Sequence, residues 1–200
     1  MKTLLLGLSL SLALLVAPAF AEVETGKAAP NFTLTDTKGT SHSLADFKGK
    51  HVVLEWYNPD CPFVVKHYKP GNMQALQKTY TDKGVVWLSI NSSATGKQGH
   101  YSAAEFNKLI AESKSAPTAL LLDQDGKVGK QYAAKTTPHI YIINPEGTLI
   151  YQGAIDSKPS ADSDDIASSE NYVKTTLDAA LAGKPIKVGS TKPYGCSVKY

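Results

Sequence analysis

Leu54-Glu55-Trp56-Tyr57-Asn58-Pro59-Asp60-Cys61-Pro62-Phe63 is the stretch on which the fold turns. It joins His51 to Tyr57, a nearly continuous run of Val, Leu, Trp and Tyr with the pattern of a strand buried on both faces, to a helical pattern that opens at Pro62. Proline is favoured at the first helical position, where its missing N–H costs nothing. Cys61 therefore falls at a strand-to-helix junction. There the positive end of a helix dipole and unpaired backbone N–H groups favour a thiolate over a thiol. One other cysteine is present, Cys196, close to the C-terminus.

Upstream, residues 1–21 read as a secretory signal: Lys2 gives a positive start, Leu4 to Val16 is apolar, and Ala19-Phe20-Ala21 offers a small-residue cleavage site. The apolar run is too short for a membrane span, and nothing later is apolar enough to cross a bilayer. With no cysteine directly after that run, a lipoprotein anchor is not expected. The expected location is secreted, and periplasmic in a Gram-negative source, with the mature chain starting near Glu22 and no membrane association thereafter. A formal net charge of +3 is too small to imply nucleic acid or an anionic membrane as partner. In an oxidising compartment the two cysteines also admit a purely structural bridge, closing a loop of about 135 residues and contributing roughly 4–5 kcal/mol on the chain-entropy account.

Working outward along the chain, Ala29 to Asp36 alternates apolar and polar residues into the turn Thr37-Lys38-Gly39 and predicts an edge hairpin. Ser43 to Lys50 predicts a short helical turn ending at Gly49. From Pro62 the helical pattern runs to about Asp82, with Pro70-Gly71 placed to kink or interrupt it. Val85 to Ile90 predicts a second buried strand, and Asn91 to Tyr101 a polar loop. Ser102-Ala103-Ala104-Glu105 is a capping box opening a helix to about Ser113. Ala119 to Leu122 predicts a short strand, Lys127 to Ala134 a short helix, and Ile140 to Ile143 with Thr148 to Gln152 a hairpin across Asn144-Pro145-Glu146-Gly147. Ala154 to Ser168 reads as an acidic solvated loop. Ser169 or a neighbour caps a last helix through Ala182, and residues 183–200 form a Lys, Pro and Gly tail carrying Cys196.

This order predicts one α/β domain with a mixed sheet, because the first two long strands need helical crossovers while the last two join by a tight turn. Cys61 after a buried strand, Thr137-Pro138 just before another, and the hairpin containing Gly147 resemble the thioredoxin fold. The likeness is to its redoxin branch, which includes the alkyl hydroperoxide reductase/thiol-specific antioxidant proteins and the periplasmic thiol-disulfide oxidoreductases. It covers roughly Gly26 to Ala182, within a domain spanning residues 22–182, and implies a central mixed sheet flanked by helices with an N-terminal β-hairpin extension. The closing Lys192 to Lys199 resembles a tail found in one subgroup of these proteins.

The resemblance makes Cys61 the attacking cysteine of a C-x-x-C motif whose second position is occupied by Val64. Thiol attack on a disulfide leaves a mixed disulfide that a second thiol must resolve, and peroxide attack leaves a sulfenic acid with the same need. The candidates are Cys196, another protein or a small thiol. Glu55, six residues before Cys61, matches the buried acid that shuttles a proton in thioredoxin, and burial raises such a carboxyl toward neutrality. A carboxylate paired with a buried lysine, or turned to the sheet edge, is the plainer expectation. Pro138 matches the cis-proline that packs on the active cysteine, with the Thr137 backbone offering hydrogen bonds to an extended substrate and Pro62 at the helix start beside it. His139 could serve as base or charge partner, or be an ordinary strand histidine. Lys66 and His67 could stabilise the thiolate, or lie on a solvated helix face. Trp56 and Tyr57 read as core and pocket wall.

The expected function is thus a thiol-disulfide oxidoreductase acting on a partner protein or small thiol, with no cofactor and no bound metal. A peroxiredoxin-like peroxidase acting on peroxide is the alternative. Against it, peroxiredoxins set Thr or Ser three residues before the cysteine and Pro seven before, where this chain has Asn58 and Leu54, and they use an arginine, which this chain lacks. A metal carrier using Cys61, His67 or His139 with Cys196, and a domain locked by a structural disulfide, complete the readings.

Overall fold

The computed structural model describes residues 23–200, so the expected signal segment lies outside the described residues. Strands β1 (Thr33–Asp36), β2 (Ser41–Ser43), β3 (Val52–Trp56), β4 (Val86–Asn91), β5 (Ala119–Leu122), β7 (His139–Ile143) and β8 (Leu149–Gly153) form one mixed sheet in the order β2-β1-β5-β4-β3-β7-β8. A second, two-stranded sheet pairs β6 (Thr136–Thr137) with β9 (Cys196–Ser197). The helices are α1 (Pro62–Tyr68), α2 (Asn72–Thr81), α3 (Ala103–Ser113), α4 (Lys127–Gln131) and α5 (Tyr172–Leu181).

The central strands β3, β4 and β5 run parallel, and each is followed by a helical crossover or turn because parallel neighbours cannot be joined tightly. β7 and β8 are antiparallel across Asn144-Pro145-Glu146-Gly147, where the Asn144 side chain accepts from Thr148 N at 2.8 Å and Gly147 takes φ +85°. Every residue of β3 and β4 is buried, which explains their mainly apolar composition, broken only by Glu55, Ser89 and Asn91. Alternation along the strands divides the core. Val52, Leu54, Trp56, Leu88, Ile90 and Tyr141 pack against Phe32, Leu44 and Val128 on one face, while Val53, Trp87, Ile140 and Ile142 pack under Met73, Leu76 and Tyr80 of α2 and Val173 and Leu177 of α5 on the other.

The expected helix from Pro62 is two helices. Pro70 denies the chain its next helical hydrogen bond, and Gly71 turns it at φ +83° into α2. The capping box at Ser102 forms in full, with Ser102 N donating to Glu105 Oε2 at 2.7 Å and Glu105 N donating to Ser102 Oγ at 3.3 Å. Of Ser169 and its neighbours, Asn171 is the cap of α5, its side chain accepting from Lys174 N at 2.9 Å. Two expectations are corrected. The segment after Ala154 is not simply a solvated loop, since Asp156 is buried and residues Ser163–Ser168 make a 3-10 turn. Residues 189–200 are not a free tail but an ordered strap along the domain, pairing as β9 and bridging Ser190 to Gln152.

Truncating Leu88→Ala, at a fully buried position of the central strand β4, should lower the unfolding free energy by about 2–5 kcal/mol through lost apolar burial and the cavity left behind. Urea denaturation followed by tryptophan fluorescence measures it.

Candidate active site

Cys61 is the N-cap of α1, with an extended backbone at φ −83° and ψ 122°, and its carbonyl accepts from Val64 N and Val65 N at 2.9 Å each. Pro62 opens the helix and is itself exposed. The sulfur makes no cap hydrogen bond. Instead the thiol donates to the Thr137 carbonyl at 2.9 Å, across 76 positions of sequence. Around it pack Tyr57, Val64, Phe106 and Leu120, together with Cys196, and the residue is wholly shielded from solvent, at 0% exposure.

The strap adds to that packing through Cys196. β9 runs antiparallel to β6 with Cys196 opposite Thr137, the residue whose carbonyl holds Cys61. Cys196 packs against the cluster that holds Cys61, and both thiols are free in this structure. Burial, then the hydrogen bond and the charge of Cys61, push the Cys196 thiol up to about 11, with Lys199 pulling weakly the other way. The Thr137–Pro138 peptide bond is cis. Thr136 Oγ1 donates to the Pro138 carbonyl at 2.9 Å, and the Thr137 hydroxyl is buried without a partner among the described residues. The structure thus brings together Cys61, Cys196, Thr137, Pro138 and the start of α1.

Glu55 is fully buried in β3 and faces away from Trp56, on the α2 side of the sheet. It is neither paired with a lysine nor at a sheet edge. Its carboxylate accepts from Trp87 Nε1 at 2.8 Å, Tyr68 OH at 2.7 Å, Ser89 Oγ at 3.1 Å and Gln77 Nε2 at 3.2 Å. Burial raises its carboxyl above the ordinary value and these donors only partly offset the effect. Tyr68 also packs at a tilt on Tyr57, with centroids 5.1 Å apart, and so links Glu55 to the packing around Cys61.

His139 lies on the opposite face, paired across β3 with Trp56. Its Nδ1 accepts from Lys135 N at 3.4 Å and meets the Tyr141 hydroxyl at 3.2 Å, and the ring stacks on Tyr141 at 4.5 Å. Burial first, then the charge of Lys135, pushes it down to about 3. It is a neutral strand histidine and not a charge partner for the thiol.

Lys66 and His67 depart from both expectations, for they lie on no solvated face and turn from Cys61 toward Asp156. Lys66 Nζ donates to Asp156 Oδ1 at 3.3 Å, to the Lys158 carbonyl at 2.8 Å and to the Tyr194 hydroxyl at 3.2 Å, and lies 3.1 Å from Asp156 Oδ2. The Tyr194 hydroxyl in turn donates to Asp156 Oδ1. His67 Nδ1 meets Asn72 Nδ2 at 2.8 Å and its Nε2 lies 3.8 Å from Asp156. Burial pushes this ring down to about 4, with Asp156 opposing and Lys66 reinforcing. Sequence reasoning missed this cluster because its members come from α1, the loop after β8 and the strap. The available signal was a lysine and a histidine inside the apolar pattern Pro62-Phe63-Val64-Val65-Lys66-His67-Tyr68.

Asn58 stands where a peroxiredoxin has its hydroxyl residue. Its side chain is committed elsewhere, accepting from Asp60 N at 2.9 Å and donating to the Gln98 carbonyl at 3.3 Å. Among the described residues no three His, Cys, Asp or Glu side chains converge as a metal site. With His67 held at Asp156 and His139 at Tyr141, neither joins the two cysteines as the metal-carrier reading requires. Among the same residues, no helix is long and apolar enough to cross a membrane.

A strand-to-helix cysteine facing a cis-proline loop on this sheet defines the protein as a thioredoxin-fold oxidoreductase. The chain belongs to the AhpC/TSA family, whose model matches residues 25–152. It is 30% identical over 131 residues to the thiol-disulfide oxidoreductase ResA of Bacillus thuringiensis subsp. konkukian, covering 66% of this chain and 70% of that protein. Among solved structures, an uncharacterized conserved protein from Geobacillus kaustophilus superposes with a TM-score of 0.73 at 30% identity, over 88% of this chain and 92% of its own. The thioredoxin domain of a thiol-disulfide oxidoreductase from Bacteroides vulgatus superposes with a TM-score of 0.53 at 25% identity, over 74% and 98%. The family match ends before the strap.

The two buried imidazoles make stability depend on pH. Below about pH 6.5 an unfolded chain takes up protons that the folded rings refuse, so stability should fall as the pH drops from about 6.5 through 4 toward 3. Glu55 and Asp123, whose carboxyls burial raises, act in the opposite sense and favour the fold as pH falls. Urea midpoints between pH 7 and pH 4 should therefore decline, less steeply in His67→Gln and more steeply in Glu55→Gln.

Proposed function

We propose that this protein is an exported thiol-disulfide oxidoreductase in which Cys61 attacks a disulfide of a partner protein or small thiol and Cys196 resolves the product. The observation that carries the reading is the register of β6 with β9, Cys196 opposite the Thr137 whose carbonyl accepts from Cys61. Thioredoxin-type chemistry needs a second thiol, Val64 removes the usual one, and the strap supplies another beside the first. The relatives named for thiol-disulfide oxidoreduction support the reaction class. Export rests on the signal-like residues 1–21.

The acidity of Cys196 bears on the order of events. Two of the influences that keep it protonated, a hydrogen bond and a charge, come from Cys61 itself. They vanish once Cys61 is bound in a mixed disulfide, which lifts part of the restraint on ionisation of Cys196 and leaves the larger effect of burial. Glu55 serves as the acid-base group at one remove, its raised carboxyl lying closer to the working pH than an ordinary glutamate. The Thr137 backbone, which in this fold would face an extended substrate, pairs with Cys196 of the strap, so a substrate must meet Cys61 where the strap gives way. A peroxidase would have to work without an arginine and with Asn58 turned away from the thiol, so weak peroxide reactivity is expected.

Reduced protein mixed with excess dithiobis(nitrobenzoate) tests this directly. The wild type should release one thionitrobenzoate on attack by Cys61 and a second on resolution, Cys196→Ser should release only the first and retain a mixed disulfide, and Cys61→Ser should lose the coupled pair of phases. Oxidation of Cys61 by hydrogen peroxide much faster than that of free cysteine would instead favour the peroxidase. Glu55→Gln should shift the pH profile of the first phase.

A further inference from the structure

The strap is fastened on both sides of Cys196. Before it, Thr191 N donates to the Gln152 carbonyl at 3.0 Å and Thr191 Oγ1 accepts from Ala154 N at 3.0 Å. After it, Val198 N donates to the Lys135 carbonyl at 3.2 Å and the Tyr200 hydroxyl donates to the Ala134 carbonyl at 2.8 Å. These contacts reach the sheet edge and α4. The two residues directly before Cys196 do something different, because they tie the strap to α1 and to the Thr137 carbonyl, the two elements that hold Cys61.

Tyr194 stands with its ring edge-on to Phe63 at 5.9 Å and under the Lys66 ammonium at 5.3 Å, and its hydroxyl donates to Asp156. Lys66 and Asp156 are almost completely buried, so their attraction is little screened by water, while unpairing either would strand a buried charge. Lys66 sits on the same rigid helix whose N-cap is Cys61. Gly195 then crosses the Thr137 carbonyl at φ +142°, so close that a Cβ there would come within 2.2 Å of the oxygen and 3.2 Å of Pro138 N. Only glycine fits that passage, and it delivers the next residue opposite Thr137.

We infer that Tyr194 and Gly195, with Lys66 and Asp156 beneath them, are positioning residues for the resolving step, holding the Cys196 thiol against Cys61. The inference rests on Cys196 being the resolving thiol. In the sequence it serves, the Cys61 thiolate attacks one sulfur of a substrate disulfide, forming a Cys61–substrate bond and expelling the other substrate sulfur as a thiolate that takes up a proton. The Cys196 thiolate, its proton lost to solvent, then attacks Cys61 Sγ. The Cys61–Cys196 bond forms, the Cys61–substrate bond breaks, and the second substrate sulfur leaves. The substrate disulfide is reduced by two electrons to a dithiol and the protein dithiol is oxidised to a disulfide, which an external dithiol reduces again. The second step is intramolecular, so its rate follows how well Cys196 is oriented and not how much thiol is present.

The test is the two-phase reaction of the full mature chain with dithiobis(nitrobenzoate), in wild type, Tyr194→Phe, Gly195→Ala and Cys196→Ser. Tyr194→Phe keeps the ring against Phe63 and removes only the hydroxyl, so the fold is retained. The second phase should slow at least about tenfold in Tyr194→Phe and in Gly195→Ala, as an oriented thiol becomes a loosely tethered one. The first phase should not slow in Tyr194→Phe, whereas in Gly195→Ala the Thr137 carbonyl that holds Cys61 must itself shift. A merely structural defect would depress both phases together, and that outcome in Tyr194→Phe, or a second phase at the wild-type rate in both variants, overturns the inference. Failure of the resolving assignment reads differently: the wild-type second phase would then be first-order in dithiobis(nitrobenzoate), and the product would carry two thionitrobenzoates and no Cys61–Cys196 bond.

Discussion

The antiparallel pairing of Cys196–Ser197 with Thr136–Thr137 is the contact on which the rest of the site depends. It brings Cys196 into the cluster around Cys61 and covers the Thr137 side of the cis-proline loop. Two residues of strand pairing are weak alone, since each net hydrogen bond contributes only about 0.5–1.5 kcal/mol. The strap therefore needs its other anchors, at Thr191, Tyr194 and Tyr200, and each finds a partner already built into the domain. Gly126 and Gly129 of the α4 region leave room for the Tyr200 ring, where a Cβ at either would approach it within about 2.6 Å.

A buried lysine and aspartate are a costly way to hold a surface segment, and stability is not what such a pair best supplies. Desolvating two charges offsets most of their attraction, whereas a misplaced partner is strongly penalised. What the pair provides is register: the Tyr194 hydroxyl has one low-energy position, in contact with both Lys66 and Asp156. Because Lys66 lies on α1 and Cys61 is its N-cap, that position is defined relative to the Cys61 sulfur. The same logic governs Glu55, whose four donors come from β3's neighbour β4, from α1 and from α2. Its carboxylate knits the layer behind the site while burial keeps it ready to hold a proton.

The electrostatics of the thiols give the site a direction. Cys61 reaches the Thr137 carbonyl as a donor, and Cys196 is kept protonated in part by Cys61. Reaction at the first sulfur removes that restraint on the second. A structural disulfide would need no such ordering, and a metal carrier would need its histidines near the sulfurs, whereas His67 and His139 are each neutral and bound elsewhere.

The mixed sheet, the hairpin at Asn144 to Gly147, the capping box at Ser102 and the break at Pro70-Gly71 were all legible in the chain, because each follows from local periodicity, capping or backbone sterics. So was the place of Cys61, at the end of a strand with a proline behind it. The cluster of Lys66, Asp156, His67 and Tyr194 was not, since residues that look solvated in a linear reading are buried only when three distant segments meet. The tail's role was hidden for the same reason: Gly195 reads as flexibility until the Thr137 carbonyl lies against it. Sequence alone determined that this chain carries one poised cysteine without its neighbouring partner, for strand, helix start and the Val64 substitution are properties of adjacent residues. Only the tertiary structure decided where the second thiol stands, because that depends on a buried ion pair and a close backbone passage made between parts of the chain with no sequence relation to one another.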